Sequence, residues 1–235
     1  MGDFCSTGEM SRRLFLGTAG VVAVAALSLS ANAAADPPAG AEATEDPLQR
    51  LIQGNGRYVS GVMNERDFSA GRLTREQGQS PFAAVLSCAD SRVPPELIFD
   101  CGPGELFVTR VAGNFVTPDG LGTLDYGVAV LGTKLVMVLG HSNCGAVASA
   151  VQALQTGNNL PGHIKDLVRA MKPGIEPELR KPGPDLMQRA VVANIRYNVQ
   201  RLQQEQPIIA QAVARGELKV VGGIYELATG EVSIV

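Results

Sequence analysis

Residues 135–147 read LVMVLGHSNCGAV. The uninterrupted apolar run Leu135 to Leu139 is what a strand buried on both faces looks like. A helical stretch, Ala146 to Gln155, follows within a few residues. Between the two lies a short turn that carries Gly140, His141 and Cys144. Strand, glycine-containing turn and helix in that order make half of a βαβ unit. The stretch therefore puts an imidazole and a thiol just past a strand's carboxyl end, at the start of a helix.

Outward from this stretch the same alternation recurs. Phe82 to Leu86 (FAAVL), Leu106 to Val111 and Leu218 to Ile224 read as further buried strands. Helical patterns occupy Pro47 to Val59, with Leu48, Leu51, Ile52 and Tyr58 roughly on one face, and Gly120 to Leu131. A longer one starts near Asp185 and repeats Met187, Val191, Ile195, Val199 and Leu202, while Pro207 opens a last helix that Gly216 ends. Met171 to Pro184, with Pro173, Pro177, Pro182 and Pro184, reads as a surface loop. Apolar strands alternating with helices predict an α/β fold, a mainly parallel sheet of four to five strands flanked by helices. No internal repeat and no second domain are visible, so residues 47–235 are expected to form a single domain.

The first 35 residues read differently. Ser11-Arg12-Arg13-Leu14-Phe15-Leu16 precedes an uncharged, Ala/Val-rich stretch that runs to Ala35. A charged start, an apolar middle and an Ala-x-Ala end make a secretory signal, and the paired arginines look like the twin-arginine export motif. Cleavage is expected after Ala33 or Ala35. The alternative is a retained membrane anchor, which Gly17, Gly20, Ser28, Ser30 and Asn32 weaken. Asp36 to Asp46, rich in Pro, Ala and acidic residues, reads as a linker. The protein is therefore expected to be exported, periplasmic or secreted, touching a membrane only through the signal segment if that is uncleaved.

Composition narrows the partners. The formal net charge of -3 and the absence of a basic stripe argue against nucleic acid. Tryptophan is absent, which argues against a stacking platform for bases or sugars. Without the signal and its Cys5, Cys88, Cys101 and Cys144 remain, an odd set for a disulfide framework.

The thiols have another reading. CADSR (88–92) stands just past the Phe82–Leu86 strand, and alternate residues of an extended segment point the same way. Cys88, Asp90 and Arg92 would then share one side. Ligands collect beyond the carboxyl ends of parallel strands, so two neighbouring strand ends would join Cys88, Asp90, His141 and Cys144. Two thiolates, an imidazole and a carboxylate suit tetrahedral zinc. Singly, each residue has a plainer role: a buried cysteine is often a small hydrophobe, a lone histidine after a strand is more often structural, and Asp90 with Arg92 can be a turn salt bridge. Together they favour zinc. Cys101, in DCGPGE, is read as structural or incidental, and His163 sits in a loop without a partner pattern.

CADSRVPPE with HSNCGAV resembles the paired signatures of the beta-class carbonic anhydrases. The similarity continues through PGELFVTRVAGN (103–114), GTLDYGV (122–128) and LKVVGGIYELATGEV (218–232), covering essentially everything from Pro47 onward. The resemblance implies one zinc ion per chain on Cys88, His141 and Cys144. Asp90 would match the carboxylate that takes or releases the fourth position, and Arg92 the arginine that draws it off the metal. It further implies reversible hydration of carbon dioxide to bicarbonate and a proton by zinc-bound hydroxide. Gln79 would match a glutamine that donates to substrate oxygen, usually from the neighbouring subunit. Phe107, Ala112 and Tyr126 align with a narrow apolar cleft, and Gly145 would let backbone N–H groups approach substrate. The family assembles from dimers in which the Pro47–Val59 arm would embrace the partner, so a homodimer or homotetramer is expected.

Some family members bind inhibitory bicarbonate in a pocket of tryptophan, arginine and tyrosine. The arginine position matches Arg110, but the tryptophan falls on Val85, so strong inhibition through that pocket is not expected. Carbon disulfide or carbonyl sulfide hydrolysis on the same site is the nearest rival reading. A non-catalytic zinc or bicarbonate binder is disfavoured because no ligand, nor the Asp90–Arg92 pair, is lost. A thiol redox protein is disfavoured because no C-x-x-C occurs.

Overall fold

The computed structural model describes residues 45–158 and 160–235. The expected signal segment with Cys5, and the expected linker up to residue 44, lie outside the described residues. From the first turn onward the chain alternates as its apolar runs demand. It passes through α1 (Pro47–Ser60), α2 (Arg72–Glu76), β1 (Ala83–Ser87), α3 (Pro95–Ile98), β2 (Leu106–Arg110), α4 (Pro118–Ala129) and β3 (Leu135–His141). It continues through α5 (Gly145–Thr156), α6 (Ile164–Leu179), α7 (Leu186–Gln204), α8 (Ile208–Ala214), β4 (Lys219–Tyr225) and β5 (Val232–Ile234). Asp46 caps the first helix: its Oδ1 accepts the Leu48 N–H at 3.0 Å and Pro47 supplies the first turn.

The five strands lie in the order β2-β1-β3-β4-β5, parallel except for the antiparallel edge strand β5. From β1 the chain moves outward to β2, and from β3 it moves outward the other way to β4. The order thus reverses between β1 and β3, and such a switch point opens a crevice at the strands' carboxyl ends. Cys88 directly follows β1, and His141 ends β3. The fold sets the two halves of the sequence pattern side by side.

Both faces of the sheet are covered, which is why its central strands are continuously apolar. Ala84, Leu86, Val136 and Val138 face a core completed by Leu124, Val147, Ile175 and Ile195 from the helices of one layer. Ala83, Val85, Leu135, Met137 and Leu139 face Leu51, Ile98 and Phe99 on the other. On the first face α7 lies close against the sheet because two strand glycines leave room for Ile195. A Cβ on Gly140 would stand 2.7 Å from Ile195 Cδ1, and one on Gly222 would stand 2.6 Å from Ile195 Cγ2.

One expectation fails here. The proline-rich stretch from Met171 is helix α6 as far as Leu179, with Pro173 and Pro177 inside it. Each interior proline costs about 3 kcal/mol of helix propensity. Met171 and Ile175 are fully buried against the core, each worth roughly 1.5–3 kcal/mol. Gly174 lets α6 approach Tyr197 of α7 closely. Packing between α5 and α7 therefore overrides the local signal, and only residues beyond Arg180 form the loop.

Gly222→Ala should lower unfolding free energy by about 1–3 kcal/mol through overpacking against immobile Ile195. Gly56→Ala, on α1 with open space around it, should instead be stabilising by about 0.5–1 kcal/mol. Denaturant unfolding of both variants checks this, and a neutral Gly222→Ala would contradict the packing described.

Candidate metal centre

The site is built from two strand ends and one helix start. Cys88 and Cys144 approach to 4.0 Å between sulfurs, and both are buried. The ligand atoms of Cys88, His141 and Cys144 all lie within 4.8 Å of one another. His141 is fully buried, and its Nδ1 is 2.9 Å from the Ser142 carbonyl oxygen. A carbonyl only accepts, so Nδ1 carries the proton and Nε2 presents a lone pair. That Nε2 is buried without a hydrogen-bond partner. An orphaned imidazole nitrogen costs free energy unless something accepts its lone pair, and this tautomer is the one a metal uses.

In the bare site the two thiols compete for one proton: the hydrogen bond from Cys144 pulls Cys88 down, helped by His141 and the Gly113 N–H, while Cys144 is pushed up. Cys144 precedes α5, and the Val147 and Ala146 N–H groups at the start of that helix favour its thiolate. Two thiolates and a neutral imidazole balance a divalent cation. The donors present therefore fit zinc.

Asp90 stands at the edge of the trio, its Oδ2 3.8 Å from His141 Nε2. Its carboxylate is held by Arg92 in a fork, Nε to Oδ1 at 2.9 Å and Nη2 to Oδ2 at 2.7 Å. This pairing keeps the carboxyl well below the usual carboxylate range. Because the folded value is depressed, its stabilising contribution is complete above the unfolded pKa of about 3.9 and is lost as pH falls through the folded one. Arg92 reaches Asp90 in a way that strand alternation does not describe. Asp90 Oδ1 accepts the Arg92 N–H at 3.0 Å and the Asp90 carbonyl accepts the Val93 N–H at 3.1 Å, so residues 90–93 form a tight turn.

Other residues hold the ligand loop. Arg110 donates to the carbonyl oxygens of Cys88 at 2.9 Å and Asp90 at 2.6 Å. The Gly113 N–H donates to Cys88 Sγ at 3.3 Å. Sequence reasoning misses Gly113, although a Gly-Asn pair directly after a strand signals a turn of positive φ. Cys101 is buried away from the trio and its thiol is pushed up to about 12 by burial, as a structural cysteine. His163 does have a partner, Asp166, 3.0 Å away.

Of the cleft residues, Ala112 and Gly145 adjoin the trio in sequence, next to Gly113 and Cys144, whereas Phe107, Tyr126 and Gln79 do not gather around it within one chain. Phe107 pairs with Ala84, four residues before Cys88, which is about 13 Å along a strand. Its ring packs on Tyr126 of α4, with centroids 6.1 Å apart, and Tyr126 is 48% exposed. Gln79 is exposed ahead of β1, without a side-chain partner among the described residues. Ala112 is half-buried beside Gly113, and Gly145 is exposed at the first turn of α5 with open space where a Cβ would stand.

A parallel α/β sheet with a buried Cys-His-Cys trio at its switch point defines a metal-binding enzyme site. A family profile described as carbonic anhydrase matches residues 83–232. The carbonic anhydrase of Mycolicibacterium smegmatis is 37% identical over 185 residues, spanning 78% of this chain and 89% of that protein. Carbonic anhydrase 2 of Mycobacterium tuberculosis is 35% identical over 181 residues, 77% of this chain and 87% of that one. The solved beta-carbonic anhydrase CcaA superposes with a TM-score of 0.63 at 32% identity, covering 80% of this chain and 91% of its own. The chain belongs to the beta-carbonic anhydrase family, and it is a carbonic anhydrase enzyme.

Val85 is fully buried against the α1 and α3 layer, and two Arg110 donors are committed to the ligand loop. A bicarbonate beside Val85 would lack an indole donor, a loss of roughly 1–3 kcal/mol. Bicarbonate should therefore inhibit turnover only as a competing product. Stopped-flow hydration at rising bicarbonate checks this, and sigmoidal inhibition at low pH would contradict it.

Proposed function

We propose that the protein hydrates carbon dioxide reversibly in a zinc-dependent reaction, with Cys88, His141 and Cys144 holding one zinc ion per chain. The observation that carries this reading is the Asp90 carboxylate locked in the Arg92 fork beside the orphaned His141 Nε2. Zinc bound there would supply a nucleophile from water near neutral pH. Asp90, ionised and acceptor-only, would take a hydrogen bond from that water and aim its lone pair at carbon. Arg92 keeps Asp90 from capping the metal. Gly145, at the start of α5, leaves backbone N–H groups open to a substrate oxygen.

The remaining cleft residues call for a second copy. Phe107 and Tyr126 lie on edge strand β2 and the exposed side of α4, too far along the strand to serve their own Cys88. A homodimer or homotetramer pairing these edges would bring Gln79, Phe107 and Tyr126 of one subunit toward the trio of another, beside that chain's own Ala112. A similar fold occurs in the two Sordaria macrospora enzymes described as tetrameric beta-carbonic anhydrases.

The domain reading is part of the proposal: a twin-arginine signal over 1–35, a linker over 36–46 and one catalytic domain over 47–235, exported to the periplasm or secreted. The support is the Arg12-Arg13 motif and the apolar run behind it.

The purified protein should contain about one zinc per chain, and Cys144→Ala should lose both metal and hydration activity. Asp90→Asn should keep its zinc and lose about 10²–10⁴-fold in turnover. Arg92→Ala should keep its zinc and lose about 10–100-fold. Metal analysis beside hydration assays tests all three, and full turnover in Arg92→Ala would sink the proposed division of roles. Exchanging Arg12 and Arg13 together for lysine should trap the enzyme inside the cell on fractionation, whereas undiminished export would remove the twin-arginine route.

A further inference from the structure

Helix α7 buries two amide side chains where aliphatic ones would fill the core. Asn194 and Asn198 are each 1% exposed and lie among Val191, Ile195 and Leu202 on the face that packs toward the sheet. Their hydrogen bonds converge on one short segment. Asn194 Nδ2 donates to the Gly113 carbonyl at 2.8 Å, and Asn198 Oδ1 accepts the Val116 N–H at 2.8 Å. Asn198 Nδ2 in turn donates to the Asn194 carbonyl at 2.8 Å and to Asn194 Oδ1 at 3.2 Å, which fixes the first amide. Arg201, one turn on, donates to the Val116 carbonyl at 2.9 Å. Residues 113–116 are thus clamped by a helix some eighty residues away.

The clamped segment is under strain. Gly113 and Asn114 are consecutive residues with positive φ, +88° and +41°, and the second is not glycine. Such conformations persist only where the surroundings over-determine them. A Cβ on Gly113 would run into Met171 Sδ of α6, so the turn is also walled in from behind. This geometry aims the Gly113 N–H at Cys88 Sγ, 3.3 Å away.

We infer that Asn194, steadied by Asn198, is a positioning residue that holds the Gly113 N–H on the Cys88 thiolate and so sets how that ligand binds its metal. The inference rests on Cys88 being a metal ligand. An N–H donor draws charge from a thiolate. Two thiolates otherwise make a metal electron-rich, so this bond keeps it the better Lewis acid. Outer partners of this kind tune both affinity and reactivity, typically by 10–100-fold.

The test uses the full protein with cobalt in place of zinc, plus release of zinc to a chelator. Asn194→Ala should shift the thiolate-to-cobalt charge-transfer band to lower energy and change the rate of zinc release about tenfold or more. Asn194→Asp, the same shape without the donor, should shift the band the same way, and Asn198→Ala should do so by less. Val191→Ala, which removes methyls from the same face of α7, should lower stability and leave band and release rate unchanged. A band that stays in place in every folded Asn194 and Asn198 variant, with release within twofold of the parent, overturns the inference. A parent protein with no thiolate-to-cobalt band would overturn instead the reading of Cys88 and Cys144 as ligands, and the inference with it.

Discussion

Two sulfurs held 4.0 Å apart, out of solvent and beside an unpartnered imidazole nitrogen, form an arrangement that a bare protein has no reason to keep. Two thiolates there would repel, and a divalent cation would both relieve that repulsion and accept the imidazole lone pair. The switch point between β1 and β3 makes the approach possible. The last residue of β1, Ser87, pairs with Leu139 two residues before β3 ends at His141, so residues more than fifty positions apart meet without a long loop to hold them.

Around that cluster the chain arranges its charges in layers. Arg92 takes Asp90 by its carboxylate, while Arg110 takes the same loop by its backbone carbonyls. Both guanidinium groups bond to carboxylate or carbonyl oxygens of residues 88–90, not to the sulfurs. The positive charge sits close enough to keep Asp90 ionised and is directed so that the carboxylate stays off the ligand cluster. On the far side the Gly113 N–H and the start of α5 favour the thiolates. The site is thus held by backbone dipoles inside and side-chain ion pairs outside.

Much of this was legible in the sequence because buried parallel strands and metal ligands both leave strong local marks. LVMVL and FAAVL had to be central strands, and a histidine and cysteines directly after them had to share one edge of the sheet. What escaped the sequence was set by tertiary contacts. Pro173 and Pro177 sit in a helix because Met171 and Ile175 are buried on its inner face, which proline content cannot announce. Arg92 reaches Asp90 through a turn, where pattern reading assumed an extended strand. Asn194 and Asn198 fall on the apolar stripe of α7, and an asparagine there reads as an interruption until its partner loop is known. Phe107 and Tyr126 aligned with a cleft, yet strand register sets Phe107 beside Ala84, well short of Cys88, a displacement along the strand that a motif alignment does not show.

The central claim is that Arg92 holds Asp90 away from a metal gripped by Cys88, His141 and Cys144. A crystal structure of the zinc-loaded protein near neutral pH, with anomalous scattering at the zinc edge, tests it most directly. The account expects zinc on two sulfurs at about 2.3 Å and one imidazole nitrogen at about 2.0 Å, with a solvent oxygen in the fourth position and Asp90 still in the Arg92 fork. Zinc capped by an Asp90 oxygen with Arg92 turned away would contradict it, as would zinc bound anywhere else.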